Sequence, residues 1–211
     1  MKIVRGIFIS VAALLLAVVG STFFMDENFR VYYKHTINAS PEVVYEQLVT
    51  LKNWENWSYW RGLDDKMVVT YNDIPSGVGA SYSWKSDKKE VGNGSFTIER
   101  TVLNEYVQSR LKFEGHNDGF SEYIIRSTDA GTELTSAMNT KTVGIVEKLM
   151  ARLLMKPMMI KAFKATDDKM NAYLKDHPDA GSSGKTIDSV SAKTIDSVSA
   201  KVARDCVIVH K

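Results

Sequence analysis

The side chains most often used for chemistry are few in this chain, and they are scattered. The only histidines are His35, His116, His177 and His210, and no two share the His-x-x-x-His spacing of a helical metal site. His35 falls on an alternating segment and can face solvent. His116 and Asp118 sit in a glycine-containing turn, where a polar turn is the simpler reading. The one cysteine, Cys206, excludes an intramolecular disulfide and a cysteine-based zinc cage. There is no Gly-x-Ser-x-Gly elbow, phosphate loop or dinucleotide fingerprint. The sequence therefore nominates no catalytic residue, no metal and no cofactor. Glu99 with Arg100, and Arg110 with Glu114, could pair across strands, and exposed pairs of that kind contribute little. A buried Glu or Arg would matter more, but alternation alone cannot place one.

What the chain has in quantity is adaptable apolar surface. Nine methionines include Met150, Met155, Met158, Met159 and Met170 at helical spacing. A thioether moulds itself to irregular apolar shapes, so these residues suit either a packed core or contact with an apolar ligand. Trp54 and Trp57 stand one helical turn apart, and Trp54 reads as core. Trp57 and Trp60 lie where the chain leaves its short helices. Tyr82 and Trp84 share one face of a strand, which is concave or convex.

These residues must be positioned by alternating strands and two kinds of helix. Residues 29–37 alternate and predict a strand. Ser40-Pro41-Glu42 predicts a helix start, with Ser40 as N-cap and Val43, Val44, Leu48 and Leu51 as the buried face. Alternating segments recur at 67–71, 80–85, 94–102, 107–113, 120–125 and 132–138, separated by Gly-, Asn- and Asp-rich turns. Short strands with tight turns predict an antiparallel meander. A long apolar-striped helix should then run from 143 to 174, with Pro157 kinking or dividing it. A helix of that length after a curved sheet suggests that the sheet wraps around it.

Both ends of the chain differ from this middle. Residues 6–25 carry no charge, and twenty helical residues span about 30 Å, a bilayer's hydrocarbon thickness. Lys2 and Arg5 precede the run and Asp26 and Glu27 follow, so an uncleaved anchor would keep the N-terminus in the cytoplasm. A cleaved signal ending near Val18-Val19-Gly20 is the rival reading, and a buried soluble helix is a third. After Pro178 the chain turns to Ala-Gly-Ser-Ser-Gly, and the unit at 185–192 repeats unchanged at 193–200, as a flexible polar tail would. The expected division is an anchor at 1–27, a domain at 28–178 and a tail at 179–211. A net charge of +2 with 25% charged residues argues against a nucleic-acid footprint.

The order of strand, two short helices, six-strand meander and long C-terminal helix is similar to the helix-grip arrangement of the START/polyketide-cyclase-like (SRPBCC) superfamily. Ile37-Asn-Ala-Ser-Pro-Glu-Val-Val-Tyr45 resembles its first strand-to-helix junction, and Leu51-Lys-Asn-Trp54-Glu-Asn-Trp57-Ser58 its short second helix. Gly77-Val-Gly-Ala-Ser-Tyr82-Ser-Trp84 and Gly92-Asn-Gly94-Ser-Phe96 resemble its glycine-led strands. Gly131-Thr-Glu-Leu-Thr135 resembles its last strand. The resemblance covers about residues 30–175. It implies an α+β fold of about seven curved antiparallel strands around the long helix, with a cavity between them for a lipid or other hydrophobic small molecule. In that cavity Trp57, Trp60, Trp84, Met150, Leu154, Met158 and Phe163 are the expected lining residues. The expected function is a binding protein held by its N-terminal helix on the outer side of a bacterial cytoplasmic membrane. A cyclase or dehydratase using the same cavity, and a solid-cored interaction or stress-response protein, are the alternatives.

Overall fold

Alternating residues form seven strands of one antiparallel sheet: β1 (Asn28–Ile37), β2 (Val68–Tyr71), β3 (Ser81–Lys85), β4 (Gly94–Val102), β5 (Tyr106–Phe113), β6 (Gly119–Thr128) and β7 (Gly131–Lys141). In this computed structural model, which describes residues 2–22 and 24–180, they lie in the order β1-β7-β6-β5-β4-β3-β2. Six strands form the expected meander. The first strand returns to pair with the last, Asn28 opposite Lys141 and Ile37 opposite Thr132. A bulge at Glu99 interrupts the β4–β5 register, and such an extra residue bends the strand that carries it. The duplicated unit and Cys206 lie outside the described residues.

The helices are α1 (Lys2–Thr22), α2 (Pro41–Val49), α3 (Trp54–Trp57), α4 (Ile145–Met150) and α5 (Lys156–Asp176). Pro41 opens α2, where its missing N–H has no partner to lose. Ser40 stands at the N-cap position but makes no capping bond with its side chain. Its hydroxyl bonds the Glu42 carboxylate instead, which holds that carboxyl below its ordinary range.

Pro157 does not end the C-terminal helix. A wide π turn, Ala151–Met155, joins α4 to α5, and Met150, Ala151, Met155 and Lys156 all keep right-handed helical angles. Proline then falls in the first turn of α5, and the wide turn before it accommodates the ring and the missing donor. Along α5 the residues Met159, Ala162, Phe163, Thr166, Asp167, Met170 and Leu174 are buried. Their three- and four-residue spacing turns one face of the helix toward the sheet.

Among the described residues there are three buried apolar clusters, a small one of Tyr106 and Ile124 and two larger ones. The larger of these two joins Ile37, Val44, Leu48, Trp54, Trp57, Phe96, Val107, Tyr123, Leu134 and Met170. The smaller of the two joins Phe29, Val31, Met138, Ala151, Met159 and Phe163 at the N-terminal half of α5. In α1 the described apolar side chains, from Ile3 and Val4 to Leu16 and Val19, face outward, so α1 is not a buried helix of this core. Among the described residues no helix is long and apolar enough to cross a membrane. The side chains of Phe8, Leu15 and Val18 in the apolar run lie outside that set.

Gly94 fixes how β3 and β4 pack. A Cβ there would run into the Trp84 ring and the Lys112 carbonyl. Gly94→Ala is expected to cost about 2 kcal/mol through overpacking, read as a lower urea midpoint at unchanged slope. An unchanged midpoint would mean that the ring moves aside freely.

Candidate functional site

The two larger clusters meet at a polar belt. Register places Ser109 of β5 opposite Ser121 of β6, Ser121 opposite Met138 of β7, and Tyr123 opposite Ser136. These residues share a sheet face, because Met138 and Tyr123 each belong to an apolar cluster beneath the helices. α5 faces them with Thr166 and Asp167, one turn after Phe163. Ser109, Ser121, Ser136 and Asp167 are all buried. Strand alternation aims the serines inward, and the 163–167–170–174 stripe of α5 aims Asp167 at them.

Only part of the belt is satisfied: the Thr166 hydroxyl accepts from the Tyr59 amide, and Ser121 bonds Tyr123. Ser109 Oγ, Ser136 Oγ and Asp167 Oδ2 are buried without a hydrogen-bond partner among the described residues. Buried polar atoms are nearly always paired, so three on facing elements need partners that the described residues do not supply. Burial, and then the neighbouring Asp168 charge, push the Asp167 carboxyl up to about 8. At neutral pH it is mostly a neutral acid, able to donate a proton or a hydrogen bond. Burial likewise pushes the Tyr123 and Tyr82 hydroxyls further up from their ordinary range.

An aromatic layer lies beside the belt. Trp54 stands 5.8 Å edge-on from Tyr123 and 4.8 Å from Phe96, and Phe96 stacks on Tyr82 at 5.5 Å. At its edge Tyr71 donates to Glu55 Oε1 over 2.8 Å, and Arg61 approaches the same carboxylate at 3.9 Å. Arg61 Nε is a fourth buried atom without a partner among the described residues.

The expected lining residues divide into three groups. Trp57 is 1% exposed; its indole N–H donates to Gln47 Oε1 at 3.1 Å, and Gln47 Nε2 donates to the Ala180 carbonyl at 3.0 Å. That is a core position rather than a mouth. Phe163 and Trp60 pack in or against the smaller cluster. Trp84 is buried against Phe113 and borders an open depression of about 580 Å³ with Lys85, Lys112, Glu114 and Asp118. That depression shares no residue with the belt. Met150, Leu154 and Met158 are half exposed or more and face away from the sheet, so the structure does not bring them together with the tryptophans. They occupy the stripe beside that of Ala151, Met159 and Phe163 on the same continuous helix. Sequence reasoning missed Asp167 and the serines.

Other polar groups are paired within the protein. Glu122, on the other face of β6, accepts from Tyr106, Asn139 and Arg30 at 2.7, 2.6 and 3.1 Å. Arg110 pairs with Glu99 and Asp118, not with Glu114, which accepts from Asn93. His35 lies 3.6 Å from Asp168, and His177 stacks on Tyr173. Among the described residues no three His, Cys, Asp or Glu side chains gather into a metal-binding group.

Comparison with known proteins follows this geometry. A sequence model of the family described as polyketide cyclase / dehydrase and lipid transport matches residues 28–176. No curated protein matches the chain. Among solved structures, a Staphylococcus aureus protein of unknown function is similar at 15% identity and a TM-score of 0.56, covering 72% of this chain and 96% of its own. A Rhodobacter sphaeroides protein is similar at 12% identity and 0.53, covering 70% and 93%. A Chromobacterium violaceum protein is similar at 11% identity and 0.51, covering 70% and 97%. These structures share the fold.

Proposed function

The chain belongs to the polyketide cyclase / dehydrase and lipid transport family, and from that premise we propose that it binds a hydrophobic small molecule or lipid between its sheet and α5. The molecule's polar group sits at the Asp167 belt and its apolar body lies among the flanking rings, with Phe163 and Trp60 on one side and Trp54 and Tyr123 on the other. The observation that carries this reading is the set of unpartnered buried atoms Ser109 Oγ, Ser136 Oγ and Asp167 Oδ2 between two apolar clusters. Such an arrangement suits a ligand that is apolar over most of its surface, with one or two hydrogen-bonding groups that fix its orientation.

α1 tethers this domain to a bacterial cytoplasmic membrane, with the domain on the extracytoplasmic side. Support comes from the uncharged run at 6–25, from Lys2 and Arg5 before it, and from apolar side chains that the domain leaves uncovered. A sparingly soluble ligand would then exchange with the adjacent bilayer.

One observation favours a second reading, a cyclase or dehydratase. A neutral carboxyl held inside a fold is equipped for acid catalysis. Here Asp167 would protonate a departing hydroxyl, which leaves as water when its C–O bond breaks, and the carboxylate left behind would take the proton from the neighbouring carbon as the double bond forms.

The test is native mass spectrometry of the full chain in mild detergent. A discrete added mass that organic extraction removes is expected, with occupancy at least tenfold lower in Asp167→Leu. A bare protein that also fails to take up a fluorescent fatty acid would overturn the binding reading. Release of the extracted molecule with one water fewer, after its return to the protein, would select the enzyme.

A further inference from the structure

The outward stripe of the C-terminal helix is apolar where a solvent-facing helix should be polar. Val146, Met150, Leu153, Leu154 and Met158 are 50–72% exposed. They recur at three- and four-residue steps through α4, the π turn and the first turn of α5, so they form one surface. Isolated exposed apolar residues are ordinary, but a continuous stripe marks an interaction site.

Three observations fix what covers it. First, the stripe lies where α1 enters the domain. Arg152 donates to the Asp26 carbonyl at 2.8 Å, Lys148 lies 3.7 Å from Glu27, and the Thr142 amide donates to the Glu27 carbonyl at 2.7 Å. Second, α1 touches α4 yet the two apolar surfaces do not cover one another. The described apolar side chains of α1, from Ile3 to Val19, remain 38–81% exposed. One apolar medium beside both would cover both. Third, the stripe is flanked by cations. Between 143 and 164 the chain carries Lys148, Arg152, Lys156, Lys161 and Lys164 against the single acid Glu147. Of these, Lys156, Lys161 and Lys164 are exposed, and Lys164 pairs with Asp168. Apolar residues rimmed by lysines are the composition of a helix that lies in the interface of an anionic bilayer.

We propose that the 146–158 stripe is a lipid-docking surface, seated on an anionic bilayer beside α1. The inference rests on α1 being the tether and adds an orientation to it. The long helix lies along the membrane, and the end of the domain that holds Phe163 and Met159 faces the lipid.

The test uses the full chain in phosphatidylcholine vesicles with and without phosphatidylglycerol. Cys206→Ser removes the only native thiol, and nitroxides are attached through Leu154→Cys, Leu14→Cys or Asp129→Cys. Collision with oxygen reports lipid, and collision with a water-soluble nickel complex reports solvent. With phosphatidylglycerol, the Leu154 and Leu14 labels are expected to favour oxygen several-fold over the Asp129 label. Without it, the Leu154 ratio alone falls.

A Leu154 label that meets nickel while the Leu14 label meets oxygen would overturn the docking surface and leave the tether standing. A Leu154 label shielded from both reagents would overturn it in favour of a protein occupant, either α1 or a second copy. A Leu14 label that meets nickel would remove the tether itself and the inference with it.

Discussion

Asp167→Asn will make the protein more stable, and the gain will grow as pH rises from about 4 to about 8. The sign follows from where the proton is held. In the unfolded chain this carboxyl ionises at its ordinary 3.8, and in the folded chain only near 8. Between those values the native state binds a proton that the unfolded state has released, so stability falls with rising pH. Below 3.8 the residue costs nothing by this route. Above 8 the loss is complete and flat, on the order of 5 kcal/mol. Asparagine keeps the shape and never ionises. The two proteins should therefore melt together near pH 4 and separate by roughly 10 °C at pH 8. Thermal unfolding of both full-length proteins across that range, in non-ionic detergent, reads the gap directly. A constant offset would mean that Asp167 ionises as an exposed carboxyl does. A protein that retains so costly a group is expected to use it, and lower ligand occupancy at higher stability is the signature of that exchange.

The second large effect is at Trp57. Trp57→Ala removes a buried indole that sits 5.2 Å from the Trp54 ring, and it leaves Gln47 Oε1 without its donor. Cavity formation of this kind costs about 3–5 kcal/mol. An orphaned acceptor adds about 1–3 kcal/mol. The sum approaches the whole stability of many domains, so the variant is expected to lose its cooperative transition in urea. Trp57→Phe keeps most of the ring and loses only the hydrogen bond, at about 1–2 kcal/mol. If Trp57→Phe instead kept full stability and shed the extractable mass, the residue would belong to the ligand rather than to the core.

The strands were legible because alternation survives wherever one sheet face is buried. The predicted 94–102 segment coincides with β4, and the others lie within a few residues. The belt was harder to see. Asp167 is followed by Asp168 and Lys169, which reads as a solvated helix face. Yet Phe163, Asp167, Met170 and Leu174 recur at helical spacing, and that phase was the available signal. The serines on β5 to β7 carried none, since a small hydroxyl suits either face of a strand. Met150, Leu154 and Met158 were misplaced for a related reason. Positions 150, 154 and 158 and positions 151, 155 and 159 are both apolar stripes, and composition cannot say which turns inward. The π turn also shifts the helical phase between them. The indole of Trp57 is equally at home in a core or on a ligand, and only its bond to Gln47 distinguishes the two.

The pairing of β1 with β7 also orders events in time. Asn28 leaves the ribosome more than a hundred residues before its partner Lys141, and Ile37 more than ninety before Thr132. Nothing closes this sheet early, and such distant partners make for slow folding. β6 and β7, joined by a tight hairpin, can form while β1 still waits with its backbone donors and acceptors open. During that interval β1 is an open strand edge attached to an apolar helix, the kind of exposed surface through which partly folded chains aggregate.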